Sequence, residues 1–247
     1  MELIDPRDPA PAVSREDAFS RLRLVWGEEG LRRVREATVA VFGVGGVGSS
    51  CVEALARAGV GRLIVVDGDE VQVSNINRQA IAFHSTVGLR KVDVMSAMVA
   101  DINPEARVVA VDAFVLPDTL DRAFGGVPLS EIDYVVDAID TVSTKLALAQ
   151  LAQREGVSLV SSMGGANKIH PELFRFADLY ETQGCPLCRA MRKNARSRGI
   201  KSLQVLYSPE QPVSAAGLGT VPYVPPIMGQ MLAGYVLRKL IYDDSEQ

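Results

Sequence analysis

Three side chains with cationic or amide groups could together hold a polyphosphate. Asn75, Arg78 and Lys91 follow one another within a short stretch, with the lysine sixteen residues after the asparagine. Fixed cations neutralise phosphate oxygens, and a carboxamide can donate to them. A dehydrogenase that uses NAD holds the ribose with a carboxylate and would not need cations and a carboxamide a few residues after it. The combination therefore favours ATP over NAD. Arg78 taken alone would more often be a solvated surface charge.

A glycine-rich turn, Gly43-Val44-Gly45-Gly46-Val47-Gly48, precedes these residues. It follows the apolar run 38–42, which predicts a buried strand, and it leads into residues 47–58, whose apolar side chains recur at helical spacing. Glycine lets the backbone approach a ligand closely, and a helix N-terminus presents free N–H groups to an anion. We therefore predict phosphate binding at Gly43, Gly45, Gly46 and Gly48. A purely structural role for the glycines is the alternative.

Two pairs of carboxylates follow predicted strands. The strand after the glycine turn leads into Asp67 and Asp69, where a carboxylate can accept hydrogen bonds from a ribose. A later apolar run, 132–136, leads into Asp137 and Asp140. Hard oxygen ligands at the carboxyl end of a strand suit magnesium. Asp140 could instead cap the helix that we predict at 142–155.

The elements that must position these side chains alternate over the first two thirds of the chain. Apolar runs predict strands near residues 38–42, 62–67, 107–112, 132–137 and 157–160, with helices between them. This alternation predicts a Rossmann-like α/β fold, with a mostly parallel sheet covered by helices on both faces. Beyond about residue 161 the pattern is irregular and predicts an α+β extension. Its predicted elements are short strands at 173–177 and 203–207, and helices at 186–198 and 227–242.

This organisation predicts a flexible segment at 1–18 and one domain at 19–247. Within that domain we expect a nucleotide-binding core at about 36–160 and a substrate-side elaboration at about 161–247. The chain has 247 residues, of which 47% are hydrophobic, enough to bury one sizeable core. Neither a signal peptide nor a membrane-spanning segment is evident, so we expect a cytoplasmic protein without membrane association.

A cluster of basic residues stands out because the chain has a net charge of −4. No acidic residue lies between Cys185 and Leu203. The cluster consists of Arg189, Arg192, Lys193, Arg196, Arg198 and Lys201. Such a cluster attracts RNA phosphates, which makes it a candidate RNA-binding surface. A solvated helix face is the alternative.

The cysteines leave several interpretations open. Cys185 and Cys188 have the spacing of a metal-ligand pair, but structural zinc takes four ligands and only Cys51 remains. The two histidines, His84 and His170, are too isolated in sequence to complete a site. The pair could also be a disulfide, or one thiol could be a nucleophile that forms a thioester. Cys51 lies on the predicted core face of the first helix, where we expect it to be a small apolar filler.

Together these motifs resemble the ThiF/MoeB/ubiquitin-activating superfamily, whose members adenylate carboxylates with ATP and magnesium. The resemblance covers about residues 19–241. It is carried by Gly43-x-Gly45-Gly46-x-Gly48, Asp67-x-Asp69, Asn75-x-x-Arg78-Gln79, Lys91 and Asp137-x-x-Asp140. Within the superfamily the chain looks most like the bacterial tRNA threonylcarbamoyladenosine dehydratases. Further segments that support this are Phe19-Ser20-Arg21, Trp26-Gly27-Glu28-Glu29-Gly30-Leu31, Gly88-Leu89-Arg90-Lys91-Val92, Asp101-Ile102-Asn103-Pro104 and Cys185-Pro186-Leu187.

The resemblance implies a role for each matching residue. The glycine turn and Asp67 would hold the phosphates and ribose of ATP, and Asp140 would coordinate magnesium. Arg21 would reach into the site of a partner subunit, which implies a homodimer. Residues implied to bind the nucleotide also include Asp69, Asn75, Arg78, Gln79 and Lys91. Residues implied to take part in catalysis are Arg21, Arg78, Lys91 and Asp140.

The activity that the resemblance implies is ATP-dependent cyclisation of threonylcarbamoyladenosine in tRNA. Its carboxylate would be joined to AMP, and its own ureido nitrogen or oxygen would then displace the AMP. The runner-up is an adenylyltransferase for the C-terminus of a ubiquitin-like sulfur carrier, although such enzymes typically have two Cys-x-x-Cys pairs and this chain has one. A nucleotide-binding regulator without turnover is the third interpretation. A cysteine desulfurase or sulfur carrier is a further candidate partner.

Overall fold

The computed structural model describes residues 16–213 and 216–242, so most of the predicted flexible segment at 1–18 lies outside the described residues. Its α-helices are α1 (Ser20–Glu36), α2 (Gly46–Ala58), α3 (Lys91–Ile102), α4 (Val142–Glu155), α5 (Pro186–Ser197) and α6 (Val224–Ile241). Its strands are β1 (Thr38–Phe42), β2 (Arg62–Val66), β3 (Arg107–Val111), β4 (Tyr134–Asp137), β5 (Leu159–Ser162), β6 (Arg175–Asp178) and β7 (Gln204–Tyr207).

The seven strands form a single sheet in the order β3-β2-β1-β4-β5-β7-β6. Every neighbouring pair is parallel except β6 and β7, which are antiparallel. This arrangement confirms the Rossmann-like α/β prediction. The strand order reverses between β1 and β4, and a ligand cleft is expected outside the carboxyl ends of the strands at such a point. The glycine turn and the carboxylates that follow β2 and β4 all lie at that edge.

The last third of the chain extends the same sheet, because β7 pairs with β5 and β6 covers the edge. Observed bounds differ slightly from the predicted ones. The fifth strand begins at Leu159 because α4 ends at Gly156 in the left-handed region, and the N–H of Val157 donates to the Ala152 carbonyl at 3.0 Å. The last helix begins at Val224 because two prolines occupy its first turn, where no N–H partner is needed.

Helix α6 packs directly on α2 and so joins the last third of the chain to the glycine turn. The contact depends on Gly229, where an added Cβ would lie 2.3 Å from the carbonyl oxygen of Val47. Close backbone approach of this kind needs a residue without a side chain. As a result the start of α6, with Pro225 and Met228, forms one wall of the cleft described below.

Helix α1 is kinked at Gly27, whose φ is +66°. The chain folds back at this point, which brings the Arg35 guanidinium to 5.1 Å from the ring centre of Phe19. That ring packs on Gly59, at the C-terminal end of α2 and therefore at the opposite end of the sheet from the glycine turn. Among the described residues, no helix is long and apolar enough to cross a membrane.

Candidate nucleotide-binding and catalytic site

A cleft of about 650 Å³ opens at the carboxyl edge of the sheet. It brings together most of the predicted nucleotide-binding residues, although they come from four separate segments. The predicted residues that line it are Gly43, Gly45, Gly46, Asp67, Asp69, Asn75, Arg78, Gln79, Lys91 and Asp140. Gly48, Arg21 and the six residues of the basic cluster are not among the lining residues.

The glycines of the turn have different roles in its geometry. Gly43 has a φ of +89°, and an added Cβ there would lie 2.7 Å from the Ala138 carbonyl oxygen. At Gly48 an added Cβ would lie 1.7 Å from the carbonyl oxygen of Gly43. These two glycines let the turn close on itself and on the segment after β4. Gly45 faces open space, since the nearest atom to an added Cβ would be 3.9 Å away. It stands at the N-terminus of α2, where free N–H groups can bind a phosphate.

Asp67 braces the glycine turn. One of its carboxylate oxygens accepts from the N–H of Val44 at 2.6 Å, and the other accepts from the N–H of Asp69 at 2.8 Å. The Lys91 ammonium lies 2.8 Å from Asp69 and 3.8 Å from Asp67, and the lysine is only 5% exposed. The Asp69 side chain is 53% exposed, so an entering phosphate could replace it as the partner of Lys91. The role of Asp67 toward a ribose stays a prediction.

The segment after β2 presents amide and guanidinium groups to the cleft. The side-chain oxygen of Asn75 accepts from the N–H of Gln72 at 3.0 Å, which leaves its amide nitrogen to face a ligand. Arg78 is held by two oxygens of the preceding turn, at 3.0 and 2.9 Å. The buried side-chain oxygen of Gln79 has no hydrogen-bond partner among the described residues. Because an unsatisfied buried oxygen is costly, this cleft wall fits a polar ligand that donates to it.

The two carboxylates after β4 have separate environments. Asp137 is fully buried, with Lys145 at 3.1 Å and the Ser161 hydroxyl at 2.6 Å, so the expected pair of metal-binding carboxylates does not form. Asp140 is exposed at the cleft. It does not cap α4, whose N-cap residue is Thr141, and it accepts only the Thr141 hydroxyl, at 3.2 Å, among the described residues. Its oxygens are therefore open to a hard cation such as magnesium.

Other cleft residues could not be anticipated from motifs. Phe114 and Leu116 line the cleft and are 69% and 51% exposed. Such exposed apolar side chains in a cleft can pack on a nucleotide base. Gly165 and Thr220 come from the last third of the chain, which joins the site only through tertiary contacts. Lys145 could have been noticed from the sequence, because it is a charged residue on the core-facing side of α4.

Comparison with known proteins identifies the family. Residues 19–247 match the family model described as "ThiF family". The chain belongs to the ThiF family. It is 40% identical to the tRNA threonylcarbamoyladenosine dehydratase of Bacillus subtilis (strain 168), over 91% of this chain and 95% of that protein.

Solved structures of an Escherichia coli member show the same fold. The E. coli tRNA threonylcarbamoyladenosine dehydratase TcdA in complex with ATP matches with a TM-score of 0.85 and 34% identity, over 93% of this chain and 96% of that one. Its complex with AMP matches with a TM-score of 0.85 and 33% identity, over 96% of this chain and all of that one. The resemblance found from motifs is thereby confirmed at the level of family and fold.

Arg21 cannot serve the cleft of its own chain in this ThiF-family fold. Its side chain is 86% exposed, and its guanidinium lies 3.8 Å from Glu16. The neighbouring Phe19 packs at the far end of α2, and a helix of 13 residues is about 20 Å long. Arg23, two residues further along α1, is bound to Asp17 at 2.9 Å. Of these two arginines, Arg21 is the one whose guanidinium is more available to another molecule.

The structure divides the basic cluster into two groups. Helix α5 buries Met191 and Ala195, and it exposes Arg189, Lys193 and Arg196 on its other face. One member, Arg192, is engaged within the fold and donates to the Thr182 carbonyl at 2.8 Å. Arg198 and Lys201 follow the helix and are exposed, although Arg198 contacts the side chain of Gln150. Arg196 also lies over the ring of Tyr180, 5.4 Å from its centre.

Neither Cys185 nor Cys188 is among the residues that line the cleft. Cys185 is the N-cap residue of α5, and both cysteines are buried and free. The Cys188 thiol donates to the Cys185 sulfur, which with nearby N–H groups and Lys168 lowers the pKa of Cys185 to about 5 and raises the pKa of Cys188. Burial raises the pKa of Cys51 to about 12, as expected for a core filler. The described residues contain no group of three or more potential ligands around a metal position.

Proposed function

We propose that the protein uses ATP to activate the carboxylate of threonylcarbamoyladenosine in tRNA and to cyclise it with loss of water. The observation that carries the proposal is the 40% identity to a B. subtilis dehydratase along 95% of that enzyme. The cleft lined by the glycine turn, Arg78 and Lys91, and the ATP complex of the E. coli relative, support ATP as the co-substrate.

The chemistry begins with a poor electrophile. A carboxylate oxygen attacks the α-phosphorus of ATP, pyrophosphate leaves, and the resulting acyl adenylate has AMP as a good leaving group. Arg78 and Lys91 line the cleft and would neutralise the charge that develops on the leaving pyrophosphate. Magnesium bound at Asp140 would supply further charge neutralisation to the same oxygens.

Ring closure needs no nucleophile from the protein. The ureido group of the substrate attacks its own activated carbonyl, and AMP leaves with the oxygen that is lost from the carboxylate. The site therefore acts mainly by holding two reacting groups together and excluding water. Neither Cys185 nor Cys188 lines the cleft, which argues against a thioester intermediate.

We expect the exposed face of α5 to contact tRNA. Replacing Arg189, Lys193 and Arg196 together by glutamate should weaken tRNA binding, because these side chains are exposed and positively charged. The slope of log affinity against log salt should become shallower by about 0.7–0.9 for each lost phosphate contact. A salt series of tRNA binding measures the effect, and calorimetry should give unchanged ATP affinity.

A matched control reverses three exposed arginines elsewhere, Arg57, Arg107 and Arg122. This variant carries the same change of net charge and should keep most of the salt slope. Equal losses in both triple variants would show that net charge, and not the α5 face, governs tRNA binding. Impaired ATP binding with normal tRNA binding in the α5 variant would place the RNA surface elsewhere.

We also propose a homodimer in which Arg21 of each subunit completes the site of the other. Arg21→Ala and Arg78→Ala should each be nearly inactive, yet mixing the two proteins under exchange conditions should restore about a quarter of wild-type activity. After random exchange half of all dimers are mixed, and each mixed dimer contains one intact site of its two, formed by Arg78 of one chain and Arg21 of the other. Full activity of Arg21→Ala, or no recovery on mixing, would contradict this role.

Adenylation of a ubiquitin-like sulfur carrier is the second candidate. Release of AMP from ATP separates the two, since the dehydratase should form AMP only with threonylcarbamoyl-modified tRNA, whereas the carrier enzyme should need a protein ending in Gly-Gly. Cytoplasmic location and a cysteine desulfurase or sulfur-carrier partner stay predictions that follow from the proposed activity.

A further inference from the structure

A buried lysine lies directly beneath the cleft. Lys145 is 1% exposed and projects from α4 toward the carboxyl ends of β4 and β5. Its ammonium donates to Asp137 at 3.1 Å, to the Ser162 carbonyl at 2.7 Å and to the Ser161 hydroxyl at 3.3 Å. An ammonium has three N–H donors, so these three bonds satisfy it completely.

The partners of Lys145 belong to both strands whose ends carry the site. The second oxygen of Asp137 accepts from the N–H of Ile139 at 3.1 Å, which fixes the segment 138–140 and thereby Asp140. Ser162 ends β5 and is followed by the segment 163–166, in which Gly165 lines the cleft. The Lys145 ammonium therefore links the end of β4, which leads to Asp140, with the end of β5, which leads to Gly165 in another wall of the cleft.

We propose that Lys145 is a positioning residue for the metal-binding carboxylate. It holds Asp137 inside the protein, so that Asp140 alone of the two carboxylates faces the nucleotide, and it fixes the spacing between the segments 138–140 and 163–166. The inference rests on the proposed use of ATP with magnesium. Lys145 would then affect how the magnesium ion is bound, although it does not contact the substrate.

A structural contribution and a positioning contribution can be separated. Removing one partner of a buried ion pair leaves an unpaired charge and destabilises the fold, whereas replacing both by neutral groups is often tolerated. The variant Asp137→Asn/Lys145→Met therefore keeps the shape of the pair without its charges. It still lacks the ammonium that binds the Ser162 carbonyl.

The experiment compares Lys145→Met, this double variant and wild type by thermal unfolding, by calorimetry of ATP with and without magnesium, and by turnover. The double variant should unfold near the wild-type temperature and bind ATP normally in chelator. Its magnesium-dependent gain in ATP affinity and its kcat should each fall about 10- to 100-fold, the usual effect of losing a group that orients a metal ligand. KM for ATP at saturating magnesium should change little.

Lys168→Met is the matched control. Lys168 is 2% exposed and donates to the Ser208 carbonyl at 2.8 Å, but it does not line the cleft. It should retain wild-type magnesium dependence. Ser161→Ala, which removes only the hydroxyl between Asp137 and Lys145, should shift magnesium dependence in the same direction by a smaller factor even if the other variants fail to fold.

Two results would overturn the proposal. Wild-type magnesium dependence in the double variant and in Ser161→Ala would mean that Lys145 only balances the charge of Asp137. A wild-type protein whose ATP affinity is insensitive to magnesium would remove the premise. The second result concerns the unaltered protein and needs no tRNA, so it is distinguishable from a failure to find dehydratase activity.

Discussion

Replacing Arg78 or Lys91 by alanine is expected to lower turnover by roughly a hundredfold or more, the usual cost of removing one preorganised group that stabilises developing charge. Both side chains line the cleft, and each is held in place before any ligand enters. Arg78 is therefore preorganised toward the pyrophosphate, and Lys91 needs only to exchange the exposed Asp69 carboxylate for it. Single-turnover formation of the cyclic nucleoside at saturating ATP measures the effect on the chemical step.

The control for this pair is Arg57→Ala, an exposed arginine of α2 that pairs with Glu53 at 2.9 Å. It should have near-normal turnover. Circular dichroism should show each variant folded, a check that matters most for Lys91, which is buried beside two carboxylates. A folded Arg78 or Lys91 variant with normal turnover would show that the assigned role is wrong.

Asp140→Asn is expected to lower turnover by roughly a hundredfold, equivalent to about 2.7 kcal/mol of transition-state stabilisation. The amide keeps the size of the side chain but removes the charge that would hold magnesium. Raising the magnesium concentration should recover part of the loss, because the defect is in metal affinity. Turnover measured across a magnesium titration tests this.

Asp118→Asn is the matched control, since Asp118 is exposed and does not line the cleft. It should leave the magnesium titration unchanged. If Asp140→Asn gave a titration curve like that of the control, magnesium would have another ligand or no role in this site.

The sequence predicted the elements whose signals are local. The sequence predicts β1 with its observed bounds, Thr38–Phe42, because five apolar or β-branched residues are followed at once by a glycine-rich turn. All five are buried in the structure. Helix α4 was predicted from 142 to 155, as observed, because Gly156 ends it sharply. The start of the last helix was predicted three residues late, since prolines in a first turn do not reveal where the turn begins.

Tertiary partners could not be predicted in the same way. The sequence pairs Asp137 with Asp140, whereas the fold pairs Asp137 with Lys145, which follows eight residues later and faces inward from α4. Likewise the basic cluster is continuous in sequence, but a helix turns Arg192 toward Thr182 and its neighbour Lys193 toward solvent. These contacts depend on which neighbouring element each side chain faces in the folded protein. The order of residue types along the chain does not show this.

Mass spectrometry of nucleosides tests the central claim most directly. Purified protein would be incubated with magnesium and tRNA that carries threonylcarbamoyladenosine, with and without ATP, and the digested nucleosides analysed. We predict a product lighter than threonylcarbamoyladenosine by one water, formed only with ATP and accompanied by an equal amount of AMP. An unchanged nucleoside, in a preparation shown by calorimetry to bind ATP, would contradict the proposed dehydratase activity.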